Sequence, residues 1–447
     1  MRVTLSPLDT RIPAVLLRID RNPFHHGTLG AVRSLGRAGV QVHLVADDRE
    51  SPVRRSRYLH RMHQPPAPGS PPAEVAAALR RVTRHLTAPA VLIPLDDAGA
   101  LAVSALYAEL SDRFLLPRPT GDTAERVADK ASLARVCARA GVAHPTTVVP
   151  ESAADAVGAV ARLGLPAVAK WSRPWLLPHH TGLRSTTLIG SPHEAAALFE
   201  RRDEAGSRLL LQAFVPGARD GDWFVHGCAG RDGVVRGGGT GRKHRSWPRS
   251  AGLTVSGTWT ENRELWSAAT RLITSLGYRG VFDLDFRRDA ATGDFHLIDF
   301  NPRPGAQFRL FADGTGTDVV RALHLDLTHR PVPAPHPLEG RAYVVENYAP
   351  LTALRALALP GPREPSPPGE LAWHAGDDPG PGAAMRRLWL RHVTRRLCDA
   401  VVRRSRRVLA LFSFRSGPRE LAPAVVPGQK KRADRPESVP SPTREPR

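Results

Sequence analysis

The sequence predicts an α/β fold in its N-terminal part, followed by segments of α+β type. An apolar run at Ala14–Ile19, a helical spacing at Leu29–Ala38 and a second apolar run at Val40–Ala46 predict a β-α-β start of a parallel sheet. The strand Ala90–Pro94 repeats this unit. Much later, two alternating runs within Gly280–Arg303 flank a turn and predict an antiparallel hairpin. Parallel units followed by antiparallel ones indicate α/β plus α+β.

Composition and charge limit the classes to which the protein can belong. The 447 residues suffice for two or three domains, and the three cysteines are far apart in sequence, which predicts a reducing compartment and no disulfide framework. No apolar run reaches the roughly 18 residues of a membrane span, and no leader pattern precedes the first strand, so we expect a cytoplasmic protein. Of the net charge of +20, +12 lies in residues 386–447, where 17 Lys and Arg face 5 Asp and Glu.

Two polar stretches follow the predicted N-terminal strands. His26–Gly30 follows the first strand and superficially resembles a dinucleotide fingerprint, but it lacks the G-x-G-x-x-G spacing, so a dinucleotide site there is disfavoured. Asp96 and Asp97 stand at the carboxyl end of a strand and just before a helix that begins near Ala98. Open α/β sheets bind ligands at that edge, whereas Asp before a helix also caps it. Substrate contact and helix capping both stay open.

The middle of the chain offers two lysines in structured positions. Pro117–Thr120 is the predicted boundary before it, and Thr123–Ala140 is predicted as one helix with Lys130 inside. Lys170 ends the apolar strand Ala167–Trp171. Because burying an ammonium without a partner is costly, Lys170 is expected to meet an anion. The alternative is a lysine that extends from the strand end to water.

The stretch Gln212–Gly217 is a linker after an apolar strand, broken at Pro216. Its backbone N–H and C=O groups are suited to the edge of an adenine without a special side chain. Further strands are expected at Trp223–Cys228 and Gly233–Gly238, followed by a helix at Glu264–Leu276.

The predicted hairpin at 280–303 gathers acids on one face. Side chains two apart share a strand face, so Asp283 joins Asp285 on one strand, and Asp299 joins Asn301 on the other. Crowded carboxylates repel one another unless a cation lies between them, and oxygen ligands favour Mg²⁺ or Mn²⁺. The alternative is a surface hairpin whose acids face water. The cation that directly follows, Arg303, favours a metal-phosphate site.

The C-terminal part is predicted to be an extension. Pro331–Pro335 is a predicted linker, Arg341–Glu346 a further strand, and Arg386–Phe414 an arginine-rich amphipathic helix. Residues from about Val426 are expected to be disordered. A basic helix of this kind could hold nucleic acid or an anionic membrane, but a solvated helical face is the favoured interpretation.

Taken in order, Lys130, Lys170, the linker Gln212–Gly217 and the hairpin ending Asp299-Phe300-Asn301-Pro302-Arg303 resemble the ATP-grasp superfamily. The pattern is most similar to its carbamoyl-phosphate-synthase-like branch of carboxylate-amine ligases. The resemblance covers about residues 12–330 and is strongest over Gly277–Arg303. It implies a Rossmann-like (pre-ATP-grasp) domain at 12–120, two ATP-grasp subdomains at 121–211 and 212–330, an extension at 331–425 and a disordered tail at 426–447.

The resemblance also implies roles for single residues. It implies ATP and Mg²⁺ (or Mn²⁺) as cofactors, with the metal held by Asp285, Asp299 and Asn301 and with Asp283 supporting them. The implied nucleotide contacts are Lys130 and Lys170 at the phosphates, Gln212, Ala213, Phe214 and Val215 at the adenine, and Asp222 at the ribose. The implied catalytic cations near the transferred phosphate are Lys243, Arg245 and Arg303.

Two departures from the family pattern stand out. The stretch Trp171–Arg184 has one glycine, although the family's phosphate-covering loop is usually rich in glycine so that backbone amides approach the ligand. His179, His180 and Arg184 either replace those donors or are plain surface residues. Aspartate also stands at 285 and 299 where the family commonly has glutamate.

These features predict a ligase that activates a carboxylate as an acyl phosphate and joins it to an amine, releasing ADP and phosphate. The expected partners are ATP and small carboxylate and amine substrates, amino acids among them, and a homo-oligomer is compatible with the sequence. Two alternatives remain. One is an ATP-grasp kinase or carbamoyl-phosphate-type activator, and the other is a non-catalytic nucleotide-binding protein whose basic tail holds nucleic acid or membrane.

Overall fold

The computed structural model describes residues 7–47, 50–178, 181–247, 253–348 and 370–413, without the side chains of 218–219, 397 and 399–413. The chain forms two compact units, Met1–Leu390 and Arg391–Arg447. Three sheets lie in the first unit. The second contains the C-terminal part of a long helix, and the predicted disordered tail from Val426 lies outside the described residues.

The first sheet has five parallel strands in the order β3-β2-β1-β4-β5. Its central strand is buried at every position, as expected for a parallel sheet covered by helices on both faces. The strands are β1 Ala14–Leu17, β2 Val42–Val45, β3 Arg61–His63, β4 Ala90–Pro94 and β5 Phe114–Leu115. The helices are α1 His26–Gly36, α2 Pro72–Thr83, α3 Asp97–Ala105 and α4 Tyr107–Leu110.

The prediction of one helix at Thr123–Ala140 is wrong. The segment forms α5 Thr123–Ala128 and α6 Lys130–Ala140, because Asp129 between them is extended and its side chain accepts a hydrogen bond from the Ala131 amide at 2.9 Å. An Asp cap of this kind starts a new helix. Lys130 is therefore the first residue of α6 rather than an interior one.

The second sheet has four antiparallel strands in the order β6-β9-β7-β8. Ala169 and Trp171 on β7 pack into the core beneath its helices, so Lys170 between them points to the opposite face. The strands are β6 Thr147–Val148, β7 Ala167–Trp171, β8 Thr186–Ile189 and β9 Leu209–Ala213. The helices are α7 Ala153–Leu163, α8 Pro192–Glu200 and α9 Arg202–Ala205.

The third sheet has seven strands in the order β14-β13-β10-β11-β12-β15-β16, and the predicted extension supplies the last two. Every pairing except β15 with β16 is antiparallel. The strands are β10 Gly217–Ala229, β11 Val235–Trp247, β12 Leu253–Trp259, β13 Gly280–Asp289, β14 Phe295–Asn301, β15 Ala342–Val344 and β16 Glu370–Leu371. The remaining helices are α10 Arg263–Ser275, α11 Val319–Leu327 and α12 Pro379–Ser413.

The two faces of this sheet are covered differently. Phe282, Leu284 and Phe300 point toward α10 and α6 and form one core with them. On the other face Phe224 and Phe311 belong to the core that includes α1 and α11. A Cβ at Gly241 would lie 2.6 Å from the Phe224 ring, so glycine there lets the ring pack directly on β11. The acids of the hairpin share this second face.

The hairpin prediction is confirmed by the paired strands β13 and β14. Its turn uses Gly293 at φ +80°, a conformation that glycine adopts without strain. Among the described residues, none of the helices is both long enough and apolar enough to cross a membrane.

Candidate active site

The hairpin brings its acidic and amide side chains into cross-strand pairs. Asp285 on β13 lies opposite Asp299 on β14, and Asp283 lies opposite Asn301. Directly opposed side chains have Cβ atoms about 4.5–5.5 Å apart, so the four groups form one compact patch. Asp283 and Asn301 are buried, at 5% and 7% exposure, while Asp285 and Asp299 are partly open.

Three lysines from three separate segments reach this patch. Lys130, at the start of α6, forms an ion pair with Asp299. Lys243 on β11 places its Nζ 2.5 Å from Asp285 Oδ1. Lys170, at the end of β7, donates a hydrogen bond to the backbone oxygen of residue 298 at 2.9 Å, and the charge of Asp299 acts on it. The anion expected near Lys170 is therefore present on β14.

The surroundings of the two predicted metal-binding carboxylates differ. Burial acts to raise the pKa of Asp299, but Lys130 and Lys170 outweigh it and hold that pKa below its ordinary value. Burial raises the pKa of Asp285, and Asp283 and Asp299 add to this effect against Lys243. Burial lowers the pKa of Lys170 to about 8, with Asp299 opposing the shift. The negative charges of the carboxylates are therefore balanced by lysines within the same patch.

Arg303 joins the hairpin to the first sheet. Its Nε donates to Asp97 Oδ1 at 3.1 Å, its Nη2 donates to Asn301 Oδ1 at 3.2 Å, and its Nη1 lies 3.5 Å from Asp283 Oδ2. Burial acts to lower the pKa of Arg303, but Asp97 and Asp283 outweigh it and the pKa rises. The guanidinium therefore stays charged at the meeting point of two sheets.

The alternatives for Asp96 and Asp97 divide between the two residues. Asp96 caps α3, because its Oδ1 accepts from the Gly99 amide at 2.6 Å and its Oδ2 accepts from the Asp20 amide at 2.8 Å. Asp97 instead holds Arg303. The capping interpretation is thus confirmed for Asp96, and Asp97 contacts a candidate catalytic residue.

The donor atoms of the patch suit a hard cation. In the described part of the chain, no three His, Cys, Asp or Glu side chains meet as a ready-made metal site. The hairpin offers two carboxylates and the Asn301 amide oxygen. Mg²⁺ commonly keeps several waters and binds through one or two carboxylates together with substrate phosphates. Lys130 and Lys243 form ion pairs with the two carboxylates, and the donor set fits a metal that arrives with a nucleotide.

The linker predicted to meet the adenine begins at the end of β9. The Gln212 side chain is 2% exposed and donates to Thr147 Oγ1 at 2.9 Å, with His144 Nε2 3.5 Å away. Ala213 and Phe214 are partly exposed, and Val215 is buried. The side chain of Gln212 is therefore engaged with Thr147 of its own sheet, and the Ala213 amide donates to the backbone oxygen of Thr146 at 2.9 Å.

Asp222 on β10 is tied to a neighbouring strand. Arg287 on β13 lies opposite it and donates from Nε to Asp222 Oδ1 at 2.8 Å, while its guanidinium carbon is 6.0 Å from the centre of the Phe214 ring. Arg287 thus links the linker, Asp222 and the hairpin. No pattern in the sequence pointed to this residue, because its role depends on the pairing of β10 with β13.

The other predicted donors are placed less closely. Arg245 lies two residues beyond Lys243 on β11, past an irregularity in the register with β12. Arg184 is exposed, and Gly182 adopts φ +69°. His179 and His180 lie outside the described residues.

An apolar pocket adjoins Arg303. It lies between the first sheet, the boundary near Pro117 and the start of β13, and its lining includes Leu92, Val103, Leu116 and Tyr278. Arg303 therefore borders both the charged patch and an apolar space.

A second cluster of titratable side chains, the histidine cluster, lies on the first sheet and was not predicted. It consists of His43, His60, His63 and His85, with neighbouring ring centroids 5.1–5.4 Å apart. His43 Nδ1 lies 3.0 Å from His63 Nε2 with the ring planes 15° apart, so the two rings share a hydrogen bond. Burial lowers the pKa of His43 and of His63 to about 4, and the neighbouring histidines add to the shift.

Comparison with known proteins places the fold in one class. No protein-family model matches the chain. The N5-carboxyaminoimidazole ribonucleotide synthetase from Thermus thermophilus superposes with a TM-score of 0.55 at 16% identity, covering 74% of this chain and 82% of that one. The chain has the ATP-grasp fold of such carboxylate-amine ligases. The resemblance found in the sequence is confirmed at the level of the fold.

Two further structures and one sequence relative agree. The biotin carboxylase domain of the Hydrogenobacter thermophilus 2-oxoglutarate carboxylase, in complex with MgADP, ADP and bicarbonate, gives a TM-score of 0.55 at 15% identity over 73% of this chain and 72% of that one. The L-amino acid ligase from Bacillus licheniformis gives 0.54 at 15% identity over 71% and 74%. A D-aspartate ligase of Enterococcus faecium (strain Aus0004) is 23% identical over 320 residues, which are 69% of this chain and 74% of the relative.

Proposed function

We propose that the protein is an ATP- and Mg²⁺-dependent ligase that activates a carboxylate as an acyl phosphate and joins it to an amine. The observation that carries this proposal is the convergence of Lys130, Lys170 and Lys243 on the paired carboxylates Asp285 and Asp299. Phosphoryl transfer depends mainly on positioning and on neutralising oxygen charge. Cations from separate segments around two carboxylates provide both the positioning and the neutralisation of charge.

The three sheets support a division of roles along the chain. The parallel sheet within 12–120 acts as the Rossmann-like domain that helps to select the substrates. The regions 121–211 and 212–330 act as the two ATP-grasp subdomains, each built on one of the other sheets. The region 331–425 is an extension, and its strands complete the third sheet.

The residue roles follow from the contacts of the patch. Lys130 and Lys170 neutralise nucleotide phosphates, and Lys243 with Arg303 stabilises charge on the transferred phosphoryl group. The backbone of residues 213–215 faces the adenine, and Asp222 with Arg287 lies toward the ribose. Arg245 is a weaker candidate because of its place beyond the register irregularity.

Asp285, Asp299 and Asn301 would hold Mg²⁺, which would neutralise charge on the phosphate oxygens. A substrate carboxylate oxygen attacks the γ-phosphorus, the bond to the β-phosphate oxygen breaks, and ADP leaves. The nitrogen of a neutral amine then attacks the acyl carbon, phosphate leaves, and the nitrogen loses its proton to water or to the departing phosphate.

The similarity to a D-aspartate ligase and an L-amino acid ligase supports amino acids as one substrate. The neighbour crystallised with MgADP supports the metal nucleotide. A cytoplasmic location fits a supply of ATP and amino acids. A homo-oligomer is compatible with this function, and binding of nucleic acid or membrane by the basic helix has no support from the relatives.

The test is a screen for ADP release over pools of amino acids and small carboxylates, with Asp285→Asn as the blank. We expect ADP and free phosphate in equal amounts only when a carboxylate and an amine are both present. Release of AMP and pyrophosphate would contradict the mechanism. ADP without free phosphate, with the phosphoryl group retained on a product, would identify a kinase or carbamoyl-phosphate-type activator instead.

A further inference from the structure

A fully buried histidine lies directly behind the candidate metal ligands. His226 on β10 is 0% exposed and lies opposite Asp283 in the register of β10 with β13. Its ring is packed by Phe224 and Phe311, with centroids 5.4 and 5.1 Å away. This side chain shares the face of the sheet that carries the hairpin acids, yet it has no access to solvent.

The contact between His226 and Asp283 is close. His226 Nε2 lies 2.9 Å from Asp283 Oδ1, off the ideal hydrogen-bond direction. Within the described part of the chain, neither atom has a well-aligned hydrogen-bond partner elsewhere. Leaving a buried imidazole and a buried carboxylate without partners is costly, so each group depends on the other.

The other oxygen of Asp283 reaches the site itself. Asp283 Oδ2 accepts from Asn301 Nδ2 at 3.2 Å and lies 3.5 Å from Arg303 Nη1. Arg303 in turn donates to Asn301 Oδ1. This network fixes which way the Asn301 amide points. Only if Nδ2 faces Asp283 does Oδ1 remain on the side of Arg303, where a metal and phosphates would lie.

The loop after β14 closes over the same pair. A Cβ at Gly305 would lie 2.6 Å from His226 Nε2 and 2.7 Å from Asp283 Cγ. These distances are shorter than real Cβ contacts, so glycine is required for the loop carrying Arg303 to pack on the pair. The backbone at Gly305 therefore packs against His226 and Asp283, and the rings of Phe224 and Phe311 pack against His226.

We propose that His226 is a positioning residue that orients Asn301 and Arg303 through Asp283. The inference rests on the proposed function, because it assumes that Asn301 binds the metal. His226 fixes Oδ1 of Asp283, and Oδ2 then fixes the amide of Asn301. Such supporting partners of metal ligands typically change metal affinity by about 10- to 100-fold when they are removed.

The experiment measures binding of the Mn²⁺ complex of a non-hydrolysable ATP analogue by calorimetry, using the full-length chain, together with the melting temperature. His226→Phe keeps the aromatic packing but removes the donor, and His226→Gln restores a donor. The matched control is His324→Phe, because His324 is also 0% exposed but its Nε2 lies 3.2 Å from the backbone oxygen of Ile12, within the first sheet's core.

We expect His226→Phe to weaken binding about 10-fold or more. His226→Gln should recover most of the affinity, and His324→Phe should lower the melting temperature without changing the affinity. Wild-type affinity in His226→Phe, or an equal loss in His324→Phe, would overturn the inference. If the wild-type chain itself does not bind the complex, the proposed function fails instead.

Gly305→Ala provides a second route that removes no functional group. The added methyl group displaces the pair, so binding should weaken as in His226→Phe. If His226→Phe does not fold, this variant decides the matter together with His226→Gln. Unchanged affinity in Gly305→Ala would then contradict the proposal.

Discussion

Two clusters of ionisable side chains in this protein are built on opposite principles. The patch around the hairpin joins carboxylates to lysines, as in the pairs Lys130–Asp299 and Lys243–Asp285. The histidine cluster on the first sheet contains groups of one kind, with His43 and His63 at its centre. The first gathers opposite charges from distant segments, and the second gathers groups that repel one another once protonated.

The two clusters should therefore respond to different changes. We expect the hairpin patch to respond to a metal nucleotide and the histidine cluster to respond only to acid. In the hairpin patch, Lys130 and Lys243 each pair with a carboxylate that we propose as a metal ligand, and a metal nucleotide would offer both groups better partners. The histidine cluster contains no pair of opposite charges that a ligand could replace. Substitutions in the patch should therefore change function more than stability, and substitutions in the histidine cluster should do the reverse.

The largest effect is expected for Asp299→Asn. The change keeps the shape of the side chain but removes the charge that faces Lys130 and Lys170. Loss of a carboxylate that we propose as a metal ligand should lower the rate of ADP release on the order of 10³-fold. The control is Asp294→Asn in the exposed turn of the same hairpin, which should match the wild type. Equal losses of ADP release in both variants would show that the acids serve the folding of the hairpin and not the reaction.

A smaller effect is expected for Lys243→Met. Without the cation 2.5 Å from Asp285, that carboxylate is freed for a metal, so Mn²⁺ alone should bind more tightly than in the wild type. The rate of ADP release should nevertheless fall on the order of 10²-fold, because a cation near the transferred phosphate is lost. Titration with Mn²⁺ in the absence of nucleotide and steady-state kinetics measure the two halves. Weaker Mn²⁺ binding would mean that Lys243 supports the metal site rather than competing for it.

The smallest effect on function is expected from the histidine cluster. The pKa of His43 and of His63 is about 4 in the folded protein and 6.5 ordinarily, so the unfolded chain takes up protons first as the pH falls. Stability should be full above pH 6.5 and should decline toward pH 4. His60, Arg61 and His85 surround the pair and add repulsion in the same direction.

His43→Phe should flatten this decline, measured as melting temperature from about pH 7.5 to about pH 4, and should leave ADP release at the upper pH unchanged. His193→Phe, on the exposed side of α8, is the control and should keep the wild-type decline. A fall in ADP release in His43→Phe would remove the distinction between the two clusters.

The hairpin shows how much of the candidate site the local sequence pattern predicts. Alternating residues and a turn glycine are enough to place Asp283 and Asp285 on one face and to pair them with Asn301 and Asp299, because strand geometry has a period of two. The break at Asp129 leaves no signal in the hydrophobic pattern, because the helical periodicity continues through it and only the cap formed by the Asp129 side chain marks the start of α6.

Short-range periodicity and local motifs were enough to predict the order of the main elements, the face of the hairpin that carries the acids and the resemblance to ATP-grasp ligases. Each strand, helix and hairpin lies within one stretch of chain, and the resemblance rests on the order of such stretches over residues 12–330. Three kinds of contact are visible only in the folded molecule: the pairs Lys130–Asp299 and Lys243–Asp285, the ion pair of Arg303 with Asp97, and the contact of His226 with Asp283. Those contacts join segments far apart in the sequence. Strand pairing within the third sheet brings Lys243 to Asp285 and His226 to Asp283, and the packing of other elements on that sheet brings Lys130 and Asp97 within reach.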